Sequence, residues 1–248
     1  MKIKVFGVPR SGGTLVTNLV NEIFEECNQI IPEHNYFTDS DKAVVVYRDF
    51  RDCIASYWRA FCANFDEKEF KKSPKFRWIS GCLWEYKNLY IPRLNKFKTD
   101  WDKENTLFLR YEDFYNDFNF IFDSLENFMD IEIRKDKRFL MAKNFDFKNV
   151  KINTKYAENF WDGKLYKGFH GKHLYTGLPQ TYKEIFPNIL QQLINNILNN
   201  ELNDWNYESG KFRHTQVSQF MFKAFVIYYR TRRRLLYNQR IYRKVKFE

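Results

Sequence analysis

Short apolar runs alternate with stretches of helical periodicity along the first half of the chain. The runs are IKVF at residues 3–6, KAVVVY at 42–47 and TLFLR at 106–110, and they predict three buried strands. Each run is followed by apolar residues at helical spacing, and these helices are expected to end near Cys27, Asn64 and Met129 respectively. Such alternation predicts a central parallel sheet within a three-layer α/β/α domain.

The remainder of the body is less regular. A further long helical region is predicted at 71–98, with an interruption near Pro92. Residues 130–178 carry many charges without a sustained period, and we interpret them as a helical lid or substrate-facing insertion. The apolar residues of 187–202 recur on one helical face, which predicts an amphipathic helix packed on the core.

A glycine-rich turn, GVPRSGGT at 7–14, joins the first predicted strand to the first predicted helix. Converging backbone N–H groups and a helix N-terminus make such a turn a cradle for phosphate. Its spacing is that of a Walker A loop, except that Gly13 stands in the place of the lysine and Arg10 supplies a cation three residues earlier. We therefore expect a nucleotide ligand without a conventional triphosphate.

A second anion contact is expected after the second strand. Arg48 comes directly after the apolar run, at the carboxyl end that faces the ligand crevice of a doubly wound sheet. Ser56 follows eight residues later, about two helical turns on. A guanidinium and a hydroxyl in this arrangement suit a second phosphate. Taken alone, an arginine at a strand end is more often the partner in a structural ion pair than a phosphate ligand.

The positive charge of the protein is concentrated at one end. The 248 residues carry a formal net charge of +10, and residues 211–248 hold eleven Lys/Arg and one acid, so the body at 1–210 is neutral. This basic, aromatic-rich extension has three open interpretations: an interfacial helix on an anionic membrane, a guide for an acidic acceptor, or a terminal helix packed on the body. No nucleic-acid-binding module accompanies it, and no nucleic acid is expected as a partner.

Several classes of protein are disfavoured by composition. The four cysteines lack metal-ligand or redox spacing, and no apolar stretch approaches the ~20 residues that cross a bilayer. The chain enters its first predicted strand by residue 3, which leaves no room for a signal peptide. We expect a cytoplasmic protein, with peripheral attachment to the inner face of the membrane if the extension binds lipid.

Three segments in combination resemble the sulfotransferase family: PRSGGT at 9–14, YRDFRDCIASYW at 47–58 and LRYEDF at 109–114. Members of this family transfer the sulfuryl group of 3′-phosphoadenosine-5′-phosphosulfate (PAPS). The resemblance extends from residue 2 to about residue 186, and it implies a fold like that of the P-loop nucleotide kinases. It also implies PAPS as the co-substrate and no requirement for a metal ion.

The resemblance assigns a role to each matching position. The loop residues that would hold the 5′-phosphosulfate are Arg10, Ser11, Gly12, Gly13, Thr14 and Leu15. Arg48 and Ser56 would hold the 3′-phosphate, and Tyr111 would lie near the adenosine. The segment 171–182 is a looser counterpart of the family's late glycine-containing segment. Two further candidate nucleotide contacts lie in it, Lys172 and His173.

The catalytic groups are less well defined by the resemblance. Arg10 replaces the loop lysine of the family, and a cation there would stabilise the negative charge that grows on the bridging oxygen. The Lys-x-His segment of the small-molecule enzymes is represented by PEH at 32–34, without its lysine, and Leu15 replaces their adenine-stacking aromatic. His34 and Glu33 are both candidates for the base that deprotonates the acceptor. A third possibility is that neither of them is the base.

The sequence therefore predicts a PAPS-dependent sulfotransferase acting on a hydroxyl or amine. The arginine in the loop and the membrane-suited extension favour a carbohydrate or lipid-linked glycan as acceptor. Two alternatives from other classes are an ATP-dependent, kinase-like phosphotransferase and a non-catalytic, membrane-attached nucleotide-binding module.

Overall fold

A three-stranded parallel sheet forms the centre of the protein. The computed structural model describes residues 1–24, 33–62, 75–154, 169 and 177–208. The strands are β1 (Ile3–Gly7), β2 (Lys42–Tyr47) and β3 (Thr106–Arg110), and they are hydrogen-bonded in the order β1-β2-β3. The three strands predicted from the apolar runs are thus confirmed. In the central strand β2, the four residues Ala43–Val46 are fully buried, as expected for a strand covered on both faces.

Helices of the described residues cover both faces of the sheet. In chain order they are α1 (Gly13–Ile23), α2 (Phe50–Cys62), α3 (Lys75–Glu85), a π-helical segment π1 (Tyr86–Tyr90), α4 (Ile91–Asp100), α5 (Tyr111–Phe114), α6 (Phe118–Met129), α7 (Lys135–Phe145), α8 (Phe147–Thr154), α9 (Tyr182–Ile185), α10 (Asn188–Ile197) and α11 (Asn199–Asp204).

Alternate residues of the strands separate the core into two apolar clusters. Ala43 and Val45 of β2 face one cluster, which is formed with α2, α3, π1, α4 and the helices after residue 182. Val44 and Val46 face the other, to which α1, α6, α7 and α8 contribute. This two-sided burial gives the three-layer α/β/α architecture that was predicted.

Three predicted segments differ in detail from the structure. In the helical region predicted at 71–98, the described residues form α3, π1 and α4: the π-helical segment interrupts the α-helix just before Pro92, and α4 extends two residues further than predicted, to Asp100. The predicted helix at 187–202 is divided into α10 and α11 near Leu198, which is itself buried. The irregular segment 130–178 contains the helices α7 and α8, whose buried residues Met141 and Val150 join the core.

Parts of the prediction fall outside the described residues. These parts are 25–32, 63–74, 155–168, 170–176 and the basic extension 211–248. The helix ends near Cys27 and Asn64, the domain boundary at 210 and the lid therefore remain predictions. Among the helices that are described, none is both long and apolar enough to span a membrane.

The turn between β1 and α1 depends on glycine. Gly12 adopts φ +94°, and a Cβ there would lie 2.9 Å from Cδ2 of Tyr111. The preceding residue, Ser11, is buried and hydrogen-bonded to the sheet, since its hydroxyl donates to the carbonyl of Val46 at 3.0 Å. The loop therefore passes between the sheet and the Tyr111 ring with no room for a side chain at Gly12.

We predict that Gly12→Ala lowers the free energy of unfolding by about 1–3 kcal/mol, since it combines an unfavourable φ with a steric overlap. Denaturant unfolding of the full chain measures the effect. Gly12→Asn is the comparison, because asparagine tolerates left-handed backbone better than alanine but has the same Cβ. Wild-type stability in Gly12→Ala would contradict this account of the turn.

Candidate active site

The register of the sheet places three predicted site regions at one edge. Gly7 pairs with Val46, and Val46 pairs with Leu109, so the three strands end together. The glycine-rich loop, Arg48 and Tyr111 follow these ends directly. Because ligand crevices of open α/β sheets lie beyond the carboxyl ends of the strands, this edge is the candidate site.

Arg10 is the cation of the loop. Its φ is +71°, and its Nε donates a hydrogen bond to the hydroxyl oxygen of Ser56 at 2.9 Å. Removal from water lowers the pKa of Arg10 to about 10, and the neighbouring guanidinium groups of Arg59 and Arg48 act in the same direction. The side chain remains positively charged at neutral pH, in surroundings that an anion would make more favourable.

Arg48 is almost completely buried, with 8% of its side chain exposed. Its Nη2 donates to the carbonyl of Leu178 at 2.8 Å and lies 3.4 Å from a carboxylate oxygen of Asp52. The guanidinium carbon lies 4.2 Å from the centre of the Tyr111 ring. Nε is also buried, and it has no hydrogen-bond partner among the described residues. An unsatisfied buried donor on an arginine is costly, and an anionic ligand would satisfy it.

Asp52 was not identified from the sequence, although it anchors the late segment. Its carboxylate accepts hydrogen bonds from the backbone N–H of Gln180 at 2.7 Å and of Tyr182 at 2.9 Å. Burial raises the pKa of Asp52, and the neighbouring Arg48 and the two N–H groups oppose that rise. The available signal was the position of an acidic residue one helical turn after Arg48, at i+4.

Tyr111 contacts the same late segment from the third strand. Its hydroxyl donates to the carbonyl of Gly177 at 2.7 Å, and Gly177 has φ +70°, where a Cβ would lie 3.3 Å from the Phe147 ring. Tyr111 thus lies between Arg48 and Gly12, and its predicted contact with the adenosine stays a prediction.

The two candidate bases point in different directions. The backbone of Glu33 pairs with β1, from Glu33 N to Val5 O at 2.9 Å, and this sets His34 beside the loop. Nδ1 of His34 is 2.6 Å from the carbonyl oxygen of Gly7. The carboxylate of Glu33 instead lies 3.6 Å from Nζ of Lys4.

The contact of His34 with Gly7 fixes the form of the neutral imidazole. A carbonyl oxygen only accepts hydrogen bonds, so Nδ1 must carry the hydrogen. The lone pair of the neutral ring is then on Nε2, and the ring is exposed to solvent. This arrangement is that of a general base with its second nitrogen held by a carbonyl group.

The remaining residues predicted to contact the nucleotide lie in different parts of the chain. Gly13 and Thr14 begin α1, and Leu15 is half-buried against the second apolar cluster. Lys172 and His173 lie outside the described residues, so their contacts with nucleotide stay predictions. In the part of the chain that the structure describes, no three His, Cys, Asp or Glu side chains are grouped as ligands for a metal ion.

Comparison with known proteins identifies the family. The profile of the sulfotransferase domain matches residues 31–206, a range that begins after the glycine-rich loop. No curated protein matches the sequence.

Solved structures show the same fold at low sequence identity. A mouse sulfotransferase, SULT7A1, complexed with PAP is 12% identical, with a TM-score of 0.60 over 91% of this chain and 88% of its own. Retinol dehydratase in complex with androsterone and inactive cofactor PAP is 13% identical, with a TM-score of 0.61 over 86% and 82%. Retinol dehydratase with retinol and PAP is 15% identical, with a TM-score of 0.61 over 86% and 83%.

The family match covers well over half of the chain and includes the strand-end segments that carry Arg48, Asp52 and Tyr111. The fold similarity to the mouse sulfotransferase covers 91% of the chain. The predictions of family and enzyme class are therefore confirmed: the chain belongs to the sulfotransferase family and is a PAPS-dependent sulfotransferase.

Proposed function

We propose that the carboxyl edge of the sheet binds PAPS between the glycine-rich loop and Arg48. The observation that carries this proposal is the buried Nε of Arg48, which lacks a partner among the described residues. A phosphate oxygen is a suitable acceptor for it, because hydrogen bonds between guanidinium and phosphate are among the strongest in proteins. Arg48 is accordingly our candidate ligand of the 3′-phosphate.

Arg10 and the loop would bind the 5′ side of the same molecule. PAPS supplies the sulfuryl group together with a nucleoside phosphate as the leaving group. Arg10 is held by Ser56 and keeps its charge at neutral pH, so it suits a position where negative charge grows. Its stabilising effect would be larger in the transition state than in the ground state.

His34 is our candidate for the general base. Its Nε2 would take the proton of the acceptor hydroxyl or amine while the acceptor atom forms its bond to sulfur. The bond between sulfur and the leaving phosphate oxygen breaks, and its electron pair stays on that oxygen. The Nδ1 hydrogen bond to Gly7 favours His34 over Glu33, whose carboxylate is directed toward Lys4.

The acceptor is proposed to be a carbohydrate, or a glycan carried on a lipid. The support is the arginine of the loop, together with the eleven basic residues and many aromatic residues of the extension 211–248. Lys and Arg residues near an anionic surface each contribute about 1 kcal/mol to binding, so the extension suits a peripheral position on the cytoplasmic face of a membrane.

A substitution at Arg48 tests recognition of the 3′-phosphate. We expect Arg48→Lys to weaken binding of 3′-phosphoadenosine-5′-phosphate (PAP) about 10- to 100-fold, since it removes Nε and the planar fork but keeps a cation beside Asp52. Binding of 5′-AMP should change by less than about twofold. Titration calorimetry on the full chain measures both ligands.

Arg134→Lys is the matched control, because the Arg134 side chain is 79% exposed and distant in sequence from the motifs. Equal losses for PAP and 5′-AMP would remove Arg48 from the 3′-phosphate site. Tighter binding of ATP with Mg²⁺ than of PAP by the wild-type chain would favour the kinase-like alternative.

Substitutions at His34 and Glu33 distinguish between the two candidate bases. We expect His34→Asn to lower sulfuryl transfer by about 10²- to 10⁴-fold with PAP affinity unchanged, as is typical when a general base is removed. Glu33→Gln should retain the wild-type rate, because it alters only the contact with Lys4. Rates are measured from PAPS consumption, and the reverse pattern in the two variants would assign the base to Glu33.

The acceptor class and the role of the extension are tested together. We expect transfer from PAPS to glycans and no transfer to small phenols, with the highest rate for a lipid-linked glycan in anionic vesicles. Replacing Arg232, Arg233 and Arg234 by Gln should weaken sedimentation with those vesicles and leave the rate on soluble glycans unchanged. Use of phenols but of no glycan would overturn the proposed acceptor class.

A further inference from the structure

The helical region from Lys75 to Asp100 contains one wide turn, and its cause is local. Pro92 has no N–H and its ring interferes with the carbonyl four residues earlier, so an ordinary helix cannot continue through it unchanged. The chain widens at π1 instead, where the N–H of Ile91 bonds to the carbonyl of Tyr86. Such π-turns are rare and are found frequently at functional sites.

One end of π1 is attached to the glycine-rich loop. The hydroxyl of Tyr86 donates a hydrogen bond to the carbonyl of Pro9, the residue before Arg10. Tyr86 is fully buried, and burial raises the pKa of its phenol well above the ordinary value, so the hydroxyl keeps its proton and remains a donor. The loop is thereby connected to the helix by a buried contact.

The other end of π1 is attached to His34. The ring of Tyr90 meets the His34 ring edge-on, with 6.5 Å between centroids, and packs against Tyr86 at 5.4 Å. Three residues after Tyr90, in the first turn of α4, Nη1 of Arg93 donates to the backbone carbonyl of His34 at 3.0 Å. Tyr86, Tyr90 and Arg93 thus follow one another at intervals of four and three residues, which places them along one helical face.

We propose that Tyr86, Tyr90 and Arg93 form a brace that positions His34 relative to the glycine-rich loop. This inference rests on the proposed role of His34 as the base. Arg93 is a positioning residue in it: its guanidinium holds the His34 backbone, while the Nδ1 hydrogen bond to Gly7 and the Tyr90 ring orient the imidazole.

The brace has a clear catalytic purpose. His34 itself is exposed, and its backbone is otherwise fixed through the pairing of Glu33 with β1. A proton acceptor must stay within hydrogen-bond reach of the acceptor atom, and a displacement of about 1 Å costs on the order of 10²-fold in rate. Because the same helical region contacts both His34 and the glycine-rich loop, it fixes the position of the base relative to the loop.

The test compares Arg93→Met, Arg93→Lys and the exposed control Arg134→Met in the full chain. PAPS is the donor and water the acceptor, so turnover is followed as PAP release without knowledge of the natural acceptor. We expect Arg93→Met to lower this rate about 10- to 100-fold with PAP affinity within about twofold of wild type. Arg93→Lys should recover part of the loss, since its amine still donates one hydrogen bond, and the control should be unchanged.

A second readout follows the imidazole directly. Long-range ¹H–¹⁵N spectra distinguish the two neutral tautomers, and the chain has only four histidines, so His34→Asn assigns the signal. We expect the Nδ1–H tautomer of His34 in the wild-type chain and a mixture of tautomers in Arg93→Met. A role limited to overall stability would change neither the tautomer nor the rate at a temperature where all variants are folded.

The outcomes separate this inference from the proposed function. If Arg93→Met retains the wild-type rate and tautomer while His34→Asn is inactive, the brace is wrong and the base assignment stands. If His34→Asn releases PAP at the wild-type rate, His34 is not the base, and the proposed function is wrong on this point.

Tyr86→Phe gives an independent check. It removes the hydrogen bond to the glycine-rich loop and should therefore reduce the rate. Its effect combined with that of Arg93→Met should be non-additive if the helical region connects the loop with His34. Additive effects would contradict a single brace.

Discussion

Arg48 and Asp52 lie one helical turn apart at the carboxyl end of β2, and both are almost completely removed from water. Burying two charges costs more than their mutual attraction returns unless further hydrogen bonds satisfy them. Here the backbone of the late segment supplies those bonds, with the Leu178 carbonyl on Arg48 and the N–H groups of Gln180 and Tyr182 on Asp52. The pair therefore holds the segment 177–182 against the sheet edge.

A second ion pair beside the first performs a purely structural task. Asp49 accepts hydrogen bonds from the Arg51 side chain at 2.5–3.1 Å, and Arg51 also reaches Asn195 and the Glu208 carbonyl. The backbone N–H of Asp49 donates to Glu112, which follows Tyr111. The two arginine–aspartate pairs of the segment RDFRD thus differ in position. The Arg48–Asp52 pair lies at the carboxyl edge of the sheet, and the Arg51–Asp49 pair connects this segment to the helices after residue 182.

The parts of this site that were predictable from sequence are those in which backbone geometry demands particular residues. Glycines in the turn and an apolar run before Arg48 place both at one sheet edge, because parallel strands end together. Tyr86 and Arg93 were not predicted, since their partners are backbone groups at Pro9 and His34. A backbone carbonyl leaves no mark on composition or spacing, so contacts of this kind are visible only in the folded structure. Asp52 was also missed, although its i+4 spacing from Arg48 was a signal for one of its contacts.

The electrostatics of the site also favour an anion there. The pKa of Arg10 is lowered to about 10, so at neutral pH the folded protein holds a charge that the unfolded chain carries more easily. The sign follows from proton binding: between that pKa and the ordinary value of arginine the unfolded state binds more protons, and stability rises with pH there. At neutral pH the cost is fully present. A ligand with a negative charge beside Arg10 and an acceptor for Nε of Arg48 would remove both the cost of the desolvated charge and the cost of the unsatisfied donor. Binding of such a ligand would therefore also stabilise the fold.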